Sequence, residues 1–119
     1  MRKNAVLYTG FATLLILGLV VLHYLSVDGL HGRLLSLCMV TDTEYAKGYS
    51  DRRFRQISVG DGQEKALAVL GEPLFIAPSR RGYERWMYSR SPGSTHYFYR
   101  EIQIKEGVVI EKRGHFYFD

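Results

Sequence analysis

Three regimes of apolar spacing follow one another along this 119-residue chain, and each predicts a different kind of element. The first is continuous. Residues 5–22 carry no charge, eleven of the eighteen are Leu, Ile, Val or Phe, and the uncharged run continues through Ser26. As a helix rising about 1.5 Å per residue, this run matches a hydrocarbon layer of about 30 Å. Tyr8 and Tyr24 fall near the two expected interfaces, where amphipathic rings settle. A cleaved secretory signal has a shorter apolar region closing on a small-x-small site, whereas this one closes on His23-Tyr24-Leu25-Ser26-Val27-Asp28. A lipoprotein signal would need a small residue where Leu37 precedes Cys38. The expectation is an uncleaved transmembrane anchor over residues 1–26. Arg2 and Lys3 would hold its N-terminus in the cytoplasm and place residues 27–119 outside. In a bacterium that means the inner membrane and the periplasm. Ala5, Thr9 and Thr13 put small residues on one face of this helix, a stripe suited to packing.

The second regime is helical. Leu30, Leu34, Leu35, Leu37 and Cys38 predict a short amphipathic helix in a juxtamembrane connector, residues 27–50, lying against either the bilayer surface or the domain. Thr41-Asp42-Thr43-Glu44 has the form of a capping box and predicts a brief helix over 43–48. Ser50 is placed to cap another short helix running through Phe54 and Ile57. Gly60-Asp61-Gly62 then opens a helix over 63–70, whose apolar side is Ala66, Leu67, Val69 and Leu70. Gly71 suits its left-handed end and Pro73 prevents a restart.

The third regime is alternation. Residues 74–77 are a short apolar stretch, 78–82 a loop, and 83–88 an aromatic-rich strand. Ser91-Pro92-Gly93-Ser94 reads as a turn. Residues 96–105 form a strand with Tyr97, Tyr99, Glu101 and Gln103 on one face and Phe98, Arg100, Ile102 and Ile104 on the other. Glu106-Gly107 turns into a last strand over 108–118. The chain is therefore expected to be α+β: a transmembrane helix, then short helices packed on a three-stranded antiparallel meander, with residues 51–119 as the domain.

Charge changes this picture little. Of 16 Lys and Arg, two precede the apolar run, so 14 face 12 acidic residues in the remainder, an excess too small to suggest nucleic acid. Arg52-Arg53-Phe54-Arg55 and the Arg80-Arg81 region are basic clusters, more simply solvated than committed to an anion. Cys38 is the single cysteine, which excludes an intramolecular disulfide; it reads as a small buried hydrophobe, or in an oxidising compartment as a thiol able to pair between chains. The four histidines are scattered; His96 and His115 would face each other across the last hairpin without a carboxylate, a poor metal site. No Gly-x-Ser-x-Gly elbow, phosphate loop or His-Glu-x-x-His is present, and Ser94-Thr95-His96 is a turn rather than a triad. Arg81-Gly82-Tyr83 with Tyr88 echoes an RNA-recognition strand, but Glu84, Arg85 and Trp86 break the pattern. No enzyme activity, cofactor or metal is expected.

Ile57-x-x-Gly60, Leu70-Gly71-x-Pro73 and Trp86-x-Tyr88 occur in that order. In this the chain resembles the small outer-membrane-protein assembly lipoproteins (BamE, also called SmpA or OmlA), over about half its length. The resemblance implies a two-helix unit on an antiparallel sheet, with those residues serving turns and core. Asp61 would take the place of the family's capping Thr, and the transmembrane helix that of its lipid anchor. The same unit occurs in β-lactamase-inhibitor-like proteins. The resemblance thus implies a binding module that docks an envelope protein, or alternatively an inhibitor or regulator of a periplasmic enzyme. The candidate partner-binding surface is Arg80, Arg81, Tyr83, Arg85, Trp86, Tyr88 and Arg90, aromatic and Arg types enriched at binding hot spots.

Overall fold

A computed structural model describes residues 2–39, 41–93 and 96–118. The chain is mixed α+β, with a long apolar N-terminal helix and a small domain built on an antiparallel sheet. The first helix, α1, runs Arg2–Leu25. Its stretch Lys3–Leu25 is long and apolar enough to cross a membrane, and its most apolar window is not buried against the domain. The chain then turns sharply. Ser26 N–H donates to Leu22 O at 3.0 Å, and Gly29 takes the positive φ (71°) that the corner needs. The second helix, α2 (Gly29–Cys38), begins without a side-chain cap, because the His23 ring accepts the Leu30 N–H at 3.2 Å instead.

No helix forms over 43–48. A two-residue strand, β1 (Glu44–Tyr45), stands there, because the supposed capping residues are used at longer range. Asp42 accepts from Ser91 Oγ (2.6 Å) and Gly93 N–H (3.0 Å), and Thr43 Oγ1 accepts from Phe98 N–H at 3.0 Å. Ser50 does cap a helix, α3 (Asp51–Arg55), accepting from Arg53 N–H. The next helix, α4 (Gln63–Leu70), is capped at its start by Gly62, not Asp61. The Asp61 carboxylate accepts from Ser58 N–H (2.8 Å) and Lys65 Nζ (2.9 Å), and Gly107 O accepts the Gln63 N–H at 2.8 Å.

The main sheet has four strands rather than three: β2 (Phe75–Pro78), β3 (Glu84–Met87), β5 (Tyr97–Lys105) and β6 (Val108–Tyr117), in the order β2-β3-β5-β6. The apolar stretch after Pro73 pairs as β2 because Ile76 lies opposite Trp86 and Phe75 opposite Met87. Pro78, which has no N–H to donate, is tolerated there because β2 is an edge strand. The expected strand over 83–88 stands as β3, and past Tyr88 the chain continues into a second short strand. Ser89–Arg90 forms β4, which leaves the main sheet to pair with β1, Glu44 opposite Arg90. Pro92 and Gly93 lie in the connection that follows, while Ser94 of the expected turn and Thr95 lie outside the described residues.

Helices α2, α3 and α4 lie on one face of the main sheet. The core between them holds Phe54, Ile57, Ala66, Leu70, Trp86, Tyr88, Ile102, Ile104 and Val109, with Ala46 from the segment after β1. Gly114 has no room for a side chain: a Cβ would stand 2.3 Å from Val27 Cγ1 and 3.0 Å from Phe54 Cε1. The corner after α1 is therefore pressed directly onto β6.

That corner is also held by charge. Arg100, wholly buried, reaches back across the chain to the wholly buried side chain of Asp28 through two hydrogen bonds of 2.8 Å each, and to Asp51 at 3.0 Å. Residues 27–38 thus pack on the domain through Val27, Asp28 and α2. Cys38, expected as a small buried hydrophobe, is exposed on α2. The reason is angular: it lies about 120° round the helix from buried Gly32.

Candidate functional site

With the helices on one face, the other face of the main sheet carries the alternate residues of each strand. These include Phe75 and Ala77 on β2, Arg85 and Met87 on β3, Tyr97, Tyr99, Glu101 and Gln103 on β5, and Glu111, Arg113, His115 and Tyr117 on β6. A register shift beside Gln103 and Ile104 keeps this division, sending Val109 into the core and Glu111 to the open side.

The centre of this face is a polar cluster built over Glu101. Its carboxylate is completely buried although no helix covers it, because its neighbours close over it. Arg85 Nη2 and Nε donate to Glu101 Oε2 at 2.8 and 3.1 Å, and Gln103 Nε2 donates to Oε1 at 2.6 Å. The Tyr99 hydroxyl donates to Glu101, and Arg85 Nη2 also donates to the Tyr99 oxygen at 2.9 Å. Burial pushes the Glu101 carboxyl up, but the hydrogen bonds from Arg85, Tyr99 and Gln103 outweigh it and hold the group below its ordinary 4.5. Glu101 and Arg85 are therefore a standing ion pair at neutral pH. Burial raises the Tyr99 hydroxyl to about 12, which keeps it a donor.

Beside this cluster runs an aromatic ladder. Tyr99 stacks on His115 with ring centres 4.9 Å apart, and Tyr97 meets Tyr117 at 5.4 Å and Tyr99 at 6.0 Å. Burial, then Arg100, lowers the His115 ring from 6.5, so it is neutral at pH 7. A rigid ladder of amphipathic rings next to a fixed Arg–Glu pair can stack and hydrogen-bond without ordering new side chains. His115 stands opposite Tyr99 rather than His96, so the pair expected across the hairpin does not form. Among the described residues no group of three His, Cys, Asp or Glu comes together to hold a metal.

The candidate surface of the sequence reading divides. Arg80 and Arg81 are exposed on the β2–β3 turn, where Gly82 takes a positive φ of 77° and Arg81 N–H donates to Ser79 Oγ. Tyr83 follows, partly buried, and Arg85 lies on the open face. Trp86 and Tyr88, expected on this surface, are not on it. They occupy the opposite phase of the strand and fill the core at 4% and 0% exposure. Trp86 Nε1 donates to Glu84 at 2.9 Å, and the Tyr88 hydroxyl donates to Gly71 O at 3.0 Å. Arg90 stands apart on β4, paired with Glu44 at 2.7 Å. Of the motif residues, Ile57 and Leu70 are fully buried, Gly60 and Gly71 have positive φ, and Pro73 closes the α4–β2 turn. The sequence reading missed Tyr97, Tyr99, Glu101, His115 and Tyr117 as a site. The alternation of β5 already put Tyr97, Tyr99 and Glu101 on one face; His115 and Tyr117 join them through the pairing of β6.

The depressed carboxylates make a pH prediction. Burial raises Asp51, but hydrogen bonds from Arg100 outweigh it and hold it below 3.8, as Glu101 is held below 4.5. Each contributes stability that is full above its ordinary value and is lost as pH falls through its lowered folded value. His115, lowered in the folded chain, adds a shallow decline that starts near 6.5. Thermal melts of the full chain in nonionic detergent should therefore show their steep acid limb below about pH 4.5, and Glu101→Gln should shrink it. An acid limb unchanged in Glu101→Gln would contradict the buried pair.

No protein-family model matches the chain, and neither a curated protein nor a solved structure matches it.

Proposed function

We propose that this chain is a non-enzymatic, single-pass membrane protein whose extracytoplasmic domain binds a protein of the cell envelope through the open face of its main sheet. The observation that carries the reading is the preassembled cluster of Arg85, Tyr99, Glu101 and Gln103 beside the Tyr97–Tyr117 ladder. These groups are held in place before any partner arrives, and Tyr and Arg are among the types enriched at binding hot spots. Arg80, Arg81 and Tyr83 extend this surface at the β2–β3 end.

The charge-free length of α1 supports the anchor. Arg2 and Lys3 support a cytoplasmic N-terminus, which in a bacterium places α1 in the inner membrane and the domain in the periplasm. Residues 51–119 are read as a divergent BamE/SmpA-like unit, supported by Ile57, Gly60, Leu70, Gly71, Pro73, Trp86 and Tyr88 in turn and core positions.

The test is site-specific crosslinking in the native membrane. Photoreactive residues at Tyr83 and Tyr117 should capture one envelope protein, and one at Gln56, on the helical side, should not. Replacing Arg80, Arg81 and Tyr83 together by Ala should weaken capture about tenfold or more with Tm unchanged. Equal capture from all three positions, or full capture by the triple variant, would refute the reading. Capture of outer-membrane assembly components would assign the task of the resembling family. Capture of a periplasmic hydrolase, with its activity lowered, would assign an inhibitor.

A further inference from the structure

We propose that α2 lies in the interface of the same bilayer that α1 crosses, with Leu30, Leu34 and Leu37 seated among the lipids, so that the domain is held flat on the membrane. This rests on the reading of α1 as a membrane span.

Three observations point this way. The first is the arrangement around α2. At about 100° per residue, Gly32, Leu35 and Ser36 share one side of the helix, and that side meets the domain. Gly32 is buried so tightly that a Cβ would stand 3.3 Å from Phe116 Cβ. Leu30, Leu34 and Leu37 share the diametrically opposite side. Leu34 and Leu37 are 55% and 82% exposed, a large apolar stripe turned directly away from the fold.

The second is continuity with α1. Three residues separate the two helices, and the side chains between them are committed inward, Val27 to Gly114 and Asp28 to Arg100. An open cleft of about 400 Å³ separates the helices, lined by Ile16, Leu19, Val20, His23, Tyr24 and Leu30. The stripe on α2 therefore continues the apolar surface of α1 through Leu30. A medium that surrounds Leu19 and Val20 also meets Leu30, Leu34 and Leu37.

The third is the polar border. Arg33 flanks the stripe, donating to Ser26 Oγ at 3.3 Å, and Arg55 donates to Leu25 O at the end of α1. Cations at the level where an apolar helix leaves the hydrocarbon suit phosphate headgroups. A second copy of the chain or a partner helix would cover the leucines but would leave the cleft beside α1 without an occupant of the right chemistry. Lipid fits both.

Cys38, the single cysteine, sits beside Leu34 on this side and is exposed, which makes it a built-in reporter. The full chain would be reconstituted into phosphatidylcholine vesicles with an environment-sensitive fluorophore on Cys38. The probe should emit at shorter wavelength and be quenched several-fold more by nitroxide-bearing lipid than by aqueous iodide. The reverse is expected for a probe at Arg81→Cys in a Cys38→Ser background. Leu34→Ser with Leu37→Ser, both at exposed positions that spare the fold, should return the Cys38 probe to iodide. A third probe, at Leu15→Cys, separates the two readings. If it is quenched by lipid while the Cys38 probe is open to iodide, α1 spans and this proposal fails. If the Leu15 probe is itself open to iodide, the spanning reading has failed. A Cys38 probe shielded from both quenchers would mean that protein covers the stripe, which also overturns the proposal.

Discussion

Replacing Arg100 by Met is expected to destabilise the domain by about 3–5 kcal/mol, the loss typical of stranding a buried charge. On the scaling for domains of this size that lowers Tm by roughly 12–40 °C. The five donors of this guanidinium all find acceptors: Asp28 twice at 2.8 Å, Asp51 at 3.0 and 3.3 Å, and Tyr99 O at 2.8 Å. Burial alone would lower its proton affinity, yet Asp28 and Asp51 more than reverse this, so Arg100 is charged at every accessible pH. Methionine fills much of the same space and supplies none of this, leaving the Asp28 side chain wholly buried with its counter-charge gone. Asp51 suffers less. It is partly solvated, it retains the Tyr49 hydroxyl at 2.7 Å, and Arg33 lies 3.9 Å away.

The assignment can be checked by a double substitution. Arg100→Met with Asp28→Asn removes both members of the closest pair and should recover a substantial part of the loss, because the stranded charge is gone. Arg100→Lys should fall between wild type and Met, since one ammonium cannot span both carboxylates. Thermal melts of the full chain in detergent measure all three. An Arg100→Met variant within about 1 kcal/mol of wild type, the range of an exposed pair, would mean that the network is not closed as described. The consequence reaches beyond stability. Asp28 lies three residues past α1, so Arg100 ties the end of the apolar helix to the middle of β5 and fixes how the sheet is carried.

The sequence made some of this legible and hid the rest, for identifiable reasons. Continuous apolarity needs no partner to be read, and α1 follows from residues 5–22 alone. Ser50 and Gly71 punctuate their helices by local chemistry, and both act where expected. The alternation of β5 correctly divided its first eight residues, Tyr97 to Ile104, between two faces. The failures lie where a side chain acts at long range. Thr41–Glu44 has the form of a cap, but Asp42 and Thr43 are drawn to residues about fifty positions away. Arg100 reads as one polar position on an apolar strand face, and nothing near it in sequence names Asp28. Arg85 and Trp86 are adjacent and both suit a binding surface by type. Which of them faces the helices depends on register against β5, where Trp86 meets Ile102 and Arg85 meets Gln103.

That register supplies the second large expectation: Trp86→Ala should cost about 3–5 kcal/mol whether or not any partner is present. The indole is buried at 4% exposure, lies between Ile76 and Ile102 across the sheet, and donates its N–H to Glu84. Truncation opens a cavity that β-strand neighbours on both sides are poorly placed to fill. Trp86→Phe keeps most of the volume and should lose only about 1–2 kcal/mol, the scale of one hydrogen bond with a modest packing defect. Because Trp86 is the sole tryptophan, its own fluorescence reports the wild-type transition, shifting to longer wavelength on unfolding. Circular dichroism follows the variants. The decisive comparison is with Arg80, Arg81 and Tyr83. If Trp86 is core, Trp86→Phe retains crosslinking to the proposed envelope partner and the turn variants lose it at unchanged Tm. If Trp86→Phe instead loses capture while its Tm holds, the indole is a contact residue, and β3 turns toward the partner the face assigned here to the core.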